Sequence, residues 1–276
     1  MESKRSTEAT LDATRDLDRR SAAEILAAIH AEDGRAVAAV AAALPDIERA
    51  VDVLACTLGG GGRWFYVGAG TSGRMGALDS AELPPTFGIE PSRVQAIVAG
   101  GARALSRAVE GAEDDVYAGP CELRQRGLRP GDAVVAISAS GHTPFVLSCL
   151  DEAHTSDARR IAITCNRSSP LAEAAEIAIV TDTGAEVIAG STRMKAGLAQ
   201  KMVLHMLSTT VMVRLGYVEG NLMTHLVPSS RKLRERAIDI IASMTQLSEE
   251  QAARLLDEHG GSVAAALVSA RERPRR

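Results

Sequence analysis

The stretch Gly68-Ala69-Gly70-Thr71-Ser72-Gly73-Arg74-Met75-Gly76 constrains this chain more than any other. It follows the apolar run Trp64-Phe65-Tyr66-Val67, which reads as a buried strand, and precedes Ala77–Ala81, which read as a helix. A strand, a glycine-rich turn and a helix start make an anion cradle. Glycine lets the backbone approach a ligand closely, and the helix start offers unpaired N–H groups and partial positive charge. Gly68, Gly70 and Gly73 also fit the dinucleotide pattern G-x-G-x-x-G, but no acidic ribose partner ends a second strand about 20 residues on. Pro84-Pro85-Thr86-Phe87-Gly88-Ile89-Glu90-Pro91 stands there instead. The hydroxyls of Thr71 and Ser72 suit a sugar or phosphate oxygen better.

A second hydroxyl loop strengthens that reading. Ala133–Ile137 is a five-residue apolar run and reads as another buried parallel strand. It runs into Ser138-Ala139-Ser140-Gly141-His142-Thr143, then Pro144 and the apolar helix Phe145–Leu150. Pro144 at the first helical position is a start signal. Alone, such a loop also reads as a serine-rich turn with a capping Thr. Two such loops, each after a buried strand, point to a phosphorylated small molecule.

Composition closes off other classes. The 276 residues are 46% hydrophobic but only 3% aromatic, with a formal net charge of −4. The length allows one or two domains and a sizeable core. With no basic stripe and few stacking aromatics, nucleic acid is not an expected partner. Cys56, Cys121, Cys149 and Cys165 are scattered, without metal-ligand spacing. They read as reduced thiols of a cytoplasmic protein. No secretory signal and no run of the roughly 18 to 20 apolar residues of a membrane helix is present, so no membrane association is expected.

Residues 1–20 are polar and read as an extended arm. Ser21-Ala22-Ala23-Glu24 is a capping box opening a helix to about His30. A second helical pattern covers about 34–58, with an interruption at Pro45. Strands at 64–67, 94–98, 133–137, 160–164 and 177–180 alternate with crossover-length segments, the signature of a parallel α/β sheet. A long helix is expected over about 192–213, with Met202, Met206 and Met212 as core packing. Helices at 231–244, after the capping box Ser248-Glu249-Glu250-Gln251, and at 262–270 form a small unit of ubiquitin-associated type, read as a packing or dimer element. The division is 1–58, 59–228 and 229–276.

The two loops together resemble the sugar isomerase domain. The match widens to Thr7-Glu8, Leu17-Asp18, Ile29–Asp33, Gly68–Gly88, Glu110–Asp114, Ser138–Pro144, Thr164-Cys165-Asn166, Glu186–Gly197, Ala199-Gln200-Lys201 and Gly220–Met223. These segments resemble the N-acetylmuramic acid 6-phosphate etherase family over nearly the whole chain. Asp79–Gly88 and Gly190–Gly197 are specific to that group. The resemblance implies a doubly wound, flavodoxin-like parallel sheet with N-terminal helices and a C-terminal helical unit. It implies a cytoplasmic homodimer of cell-wall recycling that uses no metal or organic cofactor. Its activity would split the lactyl ether at carbon 3, giving N-acetylglucosamine 6-phosphate and D-lactate. The chain departs from the family pattern at His142, Leu198, His205, Thr224-His225 and Ser229-Ser230.

Such an elimination needs a proton removed from carbon 2 and one delivered to the departing lactate oxygen, which two carboxyls can manage. Glu82 lies between an apolar helix face and a stiff Pro84-Pro85 turn, where burial would keep it protonated, as an acid requires. Its other reading is a helix-terminal charge. Glu113 sits in an acidic cluster that also reads as a solvated helix face. The resemblance implies that Glu82 is the proton donor and Glu113 the second catalytic group, the base. Ser138, Ser140 and Thr143 are candidates for the phosphate, with Thr71 and Ser72 near the sugar. Lys195 faces the phosphate or is a helix-surface lysine, and Glu186 is acidic machinery or structure. The alternative function is a phosphosugar-binding regulator of the glucokinase-regulator type, without turnover. A phosphosugar isomerase would share the loops but not the Glu82–Pro85 block.

Overall fold

Five apolar segments line up side by side in the computed structural model, which describes residues 6–272. They are β1 (Trp64–Gly68), β2 (Val94–Val98), β3 (Ala133–Ile137), β4 (Arg159–Thr164) and β5 (Ile177–Val180). All neighbours pair in parallel, in the order β2-β1-β3-β4-β5. Burial on both faces explains why the strands read as apolar runs rather than alternations. Trp64, Tyr66, Val135, Ile161 and Ile179 point into one helical layer. Phe65, Val67, Val134, Ala136 and Ala162 point into the other.

The first layer holds α1 (Ala22–Ala42), α2 (Leu44–Gly59), α3 (Gly70–Phe87) and a long later helix. The second holds α4 (Ala118–Gln125), α5 (Pro144–Thr155) and the short α6 (Pro170–Ala174). The long helix is α7 (Lys195–Arg214). A separate core, with Ile241, Leu255, Leu256 and Leu267 at its centre, joins α8 (Arg231–Thr245), α9 (Glu249–Glu258) and α10 (Val263–Glu272). Both capping boxes form, at Ser21/Glu24 and at Ser248/Gln251. The chain leading to this unit touches α3, where the Val227 N–H donates to the Pro85 carbonyl at 3.2 Å.

Three local expectations are corrected. The first helix does not stop near His30: it continues to Ala42, and the break falls at Ala43, with Pro45 in the first turn of α2, where its missing N–H costs nothing. Pro84 and Pro85 do not form a turn. They sit in the last turns of α3, which Gly88 ends at φ 64° with its N–H on the Pro84 carbonyl. Over its described part the amino-terminal segment is not an extended arm: residues 6–19 form three short 3₁₀ turns laid on the domain, with Thr7 fully buried, and residues 1–5 of the expected arm lie outside the described residues.

Candidate active site

The strand order reverses between β1 and β3, and a doubly wound sheet binds ligands outside the carboxyl ends of the strands at that point. The two hydroxyl loops follow β1 and β3 there. At the first, α3 starts almost in contact with the strand end: a Cβ on Gly73 would lie 2.5 Å from the Gly68 carbonyl oxygen. Ser72 is buried, and its hydroxyl donates to Gln200 Oε1 on α7 at 3.0 Å. Thr71 lies over the start of α7, within 3.3 Å of where a Gly197 Cβ would stand.

At the second loop three hydroxyls converge. Ser138 Oγ lies 2.9 Å from Thr143 Oγ1 and 3.3 Å from Ser140 Oγ. The Gly141 N–H donates to Ser138 Oγ and the His142 N–H to Ser140 Oγ. His142 Nδ1 is 2.8 Å from the Ser140 carbonyl, which fixes the proton on Nδ1. Hydroxyls, amides and the start of α5 together form a neutral-to-positive cradle suited to a phosphate.

The carboxylates are placed differently. Glu113 is exposed on a 3₁₀ turn over Ala112–Asp114, after Gly111 at φ 70°, and that turn packs on α5. A cavity of about 360 Å³ opens beside it, lined by Gly100, Gly101, Glu110, Asp115 and Phe145 among others. Glu82 is exposed, against the expectation of burial, because Leu83 and Phe87 take the inward positions of its helix. It lies twelve residues beyond Gly70, about 18 Å along a helix that leads away from the carboxyl edge. The single chain therefore brings Ser138, Ser140 and Thr143 together, but it does not bring Glu82 to them.

Lys195 is neither a surface lysine nor turned to the hydroxyl loop. It is 1% exposed, and its ammonium is bound to the buried Glu32 of α1, which Arg35 also meets at 3.2 Å. Glu186 caps α7, accepting the N–H groups of Lys195 at 3.3 Å and Ala196 at 2.9 Å. Burial pushes its carboxyl up, opposed by those two amides. Asp79, also raised by burial, accepts from Tyr66 at 2.8 Å and Ser208 at 3.2 Å, tying α3 to β1 and α7. Burial raises the thiols of Cys149 and Cys165, so neither is a ready nucleophile. Sequence reasoning missed roles for Glu32, Gln200 and Asn166. Asn166 carried a signal, since Thr164 ends β4 and Cys165-Asn166 follow it directly at the carboxyl edge.

Comparison with known proteins decides the family. The chain is 49% identical over 263 residues to an N-acetylmuramic acid 6-phosphate etherase of Symbiobacterium thermophilum, covering 95% of this chain and 87% of that one. It is 46% identical over 261 residues to another from Jannaschia sp., covering 95% and 83%. The chain belongs to the N-acetylmuramic acid 6-phosphate etherase family. Within it, the glucokinase regulatory protein N-terminal SIS domain model matches residues 46–154, and the SIS domain model matches residues 122–210. The fold is also that of a phosphoheptose isomerase from Francisella tularensis, with a TM-score of 0.55 and 21% identity, covering 70% of this etherase-family chain and 99% of the isomerase.

Proposed function

We propose that this chain cleaves the lactyl ether of N-acetylmuramic acid 6-phosphate by elimination and hydration, releasing D-lactate and N-acetylglucosamine 6-phosphate. The observation that carries the reading is 44–49% identity to etherases across about 95% of the chain, together with the hydroxyl cradle at the switch point. Ser138, Ser140 and Thr143 hold the phosphate, with Thr71 and Ser72 on the sugar side. Lys195 serves the site indirectly, by fixing α1 on the start of α7.

In the open-chain sugar the aldehyde at carbon 1 acidifies the proton on carbon 2. A base takes that proton, the bond between carbon 3 and the ether oxygen breaks, and an acid protonates the departing lactate. Water then adds at carbon 3, losing a proton to the group that gave one, and carbon 2 regains its own. Glu82 is the acid and Glu113 the base in this scheme.

The placement of Glu82 supports a homodimer, in which the partner subunit's Glu82 serves the phosphate loop. Leu78, one turn before Glu82 on the same helix face, is 47% exposed, and Leu198 on α7 and Val37 on α1 are also exposed. Covering that layer would bury the apolar surface that Leu78, Leu198 and Val37 expose. Among the described residues no helix is long and apolar enough to cross a membrane. The four free cysteines support a reducing, cytoplasmic location.

Incubation with N-acetylmuramic acid 6-phosphate and assay of D-lactate tests the reading. Stoichiometric D-lactate supports it. Phosphosugar binding by calorimetry without lactate would favour a regulator of the glucokinase-regulator type, and no binding would reject both.

A further inference from the structure

The first twenty residues carry too little apolar surface to be held by hydrophobic burial, yet residues 6–19 follow a definite path. Ser6 reaches Asn166 twice, donating from its backbone N at 3.2 Å and from Oγ at 2.6 Å to Asn166 Oδ1. Thr7, fully buried, accepts from Asn166 Nδ2 at 3.4 Å. Farther on, the Thr14 hydroxyl donates to the Val187 carbonyl at 2.9 Å. Glu8 lies against Gly190, whose Cβ would stand 3.1 Å from Glu8 Oε2. The segment thus crosses from the end of β4 to the loop that leads into α7.

Asn166 is the hub of this path. Its Nδ2 donates to the carbonyl of Ala139 at 3.2 Å and of Ser140 at 3.0 Å. The amide can be oriented only one way, because two carbonyls require N–H groups and the Ser6 backbone N–H requires an oxygen. Ala139 O is held further by the Cys165 N–H at 3.0 Å and the Thr164 hydroxyl at 3.3 Å. Two carbonyls of the Ser138–Thr143 loop, those of Ala139 and Ser140, therefore point at Asn166, the second shared with His142 Nδ1. Carbonyl oxygens repel an anion, whereas hydroxyls and N–H groups attract it. Holding the carbonyls back leaves the hydroxyls of Ser138, Ser140 and Thr143 to face the phosphate.

We infer that Asn166 is a positioning residue that keeps the phosphate loop in its anion-accepting form, and that the amino-terminal segment, latched through Ser6, is part of the phosphosugar site. The inference rests on the proposed function for the identity of the ligand. The latch acts on binding and not on proton transfer, so its loss moves KM and spares kcat.

The test uses the full chain with Asn166→Ala, Asn166→Asp and Ser6→Ala. KM and kcat are measured with N-acetylmuramic acid 6-phosphate, inhibition with inorganic phosphate, and amide hydrogen exchange over residues 138–143. Asn166→Ala is expected to raise KM and the phosphate inhibition constant about ten-fold and to speed exchange in the loop. It should leave kcat within about three-fold. Asn166→Asp should be worse, since its carboxylate donates nothing to the carbonyls and repels the phosphate. Ser6→Ala keeps the backbone N–H and should raise KM by about three-fold. Unchanged KM and unchanged exchange in Asn166→Ala, or a fall in kcat alone, would overturn the inference. Should that variant not fold, Asn166→Asp is isosteric and still accepts from Ser6, and unchanged phosphate inhibition in it overturns the inference equally. If the wild-type protein releases no D-lactate, the functional reading fails by itself, and the latch is judged on phosphate calorimetry and loop exchange.

Discussion

Gly73→Ala adds one methyl group where α3 leaves β1, and the structure sets its cost. The new Cβ would stand 2.5 Å from the Gly68 carbonyl oxygen and 2.8 Å from Val98 Cγ1. The first neighbour is backbone and cannot rotate away, so strand end and helix start must separate by several tenths of an ångström. Overpacking of this kind costs about 1–3 kcal/mol. The helix gains up to about 1 kcal/mol from replacing glycine, less here because Gly73 lies in the first turns. The balance is a loss of about 1–2 kcal/mol, or roughly 2–8 °C in Tm for a chain of this size. Gly34→Ala is the control: Gly34 is exposed inside α1, and its Cβ would meet nothing within 4 Å. It should gain about 0.5–1 kcal/mol. Urea unfolding of the two variants reads both signs, and activity reads the displacement of Thr71 and Ser72. A Gly73→Ala protein as stable as wild type would refute the close approach of helix and strand.

Further outcomes follow from the buried charges and the cradle. Lys195→Met strands the buried Glu32 carboxylate with only Arg35 beside it. It should cost about 3–5 kcal/mol in urea unfolding, partly restored by adding Glu32→Gln, whereas a loss below about 1 kcal/mol would mean the pair is solvated. Asp79 has a raised carboxyl, so the stability it contributes is full below its ordinary value of 3.8 and is lost as pH rises through the raised value. Asp79→Asn should therefore gain on wild type as pH goes from about 4 to 7, and a pH-independent difference would contradict the shift. If Ser140 meets the phosphate as proposed, Ser140→Ala removes a hydrogen bond worth about 1.5–3 kcal/mol and should raise KM at least about ten-fold with the fold intact. Phosphosugar binding unchanged by calorimetry would remove Ser140 from the site.

Much of the architecture was legible because its signals are local. Each strand is a short apolar run buried on both faces, and three of the five keep the bounds expected from the residues, 94–98, 133–137 and 177–180. Capping residues marked α1 and α9 for the same reason. The hydroxyl convergence was legible because Ser138, Ser140 and Thr143 lie within six residues. What the residues alone did not disclose depends on distant contacts. Lys195 reads either as facing the phosphate or as a surface lysine until Glu32, 163 positions away, is seen to bury it. The path of residues 6–19 depends on Asn166 and Val187, and nothing apolar announces it. Glu82 reads as buried beside Leu83 and Pro84 because its neighbours are apolar, yet helical geometry turns it outward.

The central claim is that Glu82 and Glu113 carry two different proton transfers of one ether cleavage. Its most direct test is D-lactate release from N-acetylmuramic acid 6-phosphate by wild type, Glu82→Gln and Glu113→Gln. The same samples are read for solvent deuterium entering carbon 2 of N-acetylglucosamine 6-phosphate. The account predicts that both variants lose about 10²- to 10⁴-fold in lactate release. Glu82→Gln should keep deuterium exchange, which needs only the base, while Glu113→Gln should lose it. Exchange kept by Glu113→Gln and lost by Glu82→Gln would reverse the two roles. Near-normal lactate release by both variants would contradict the account at its centre.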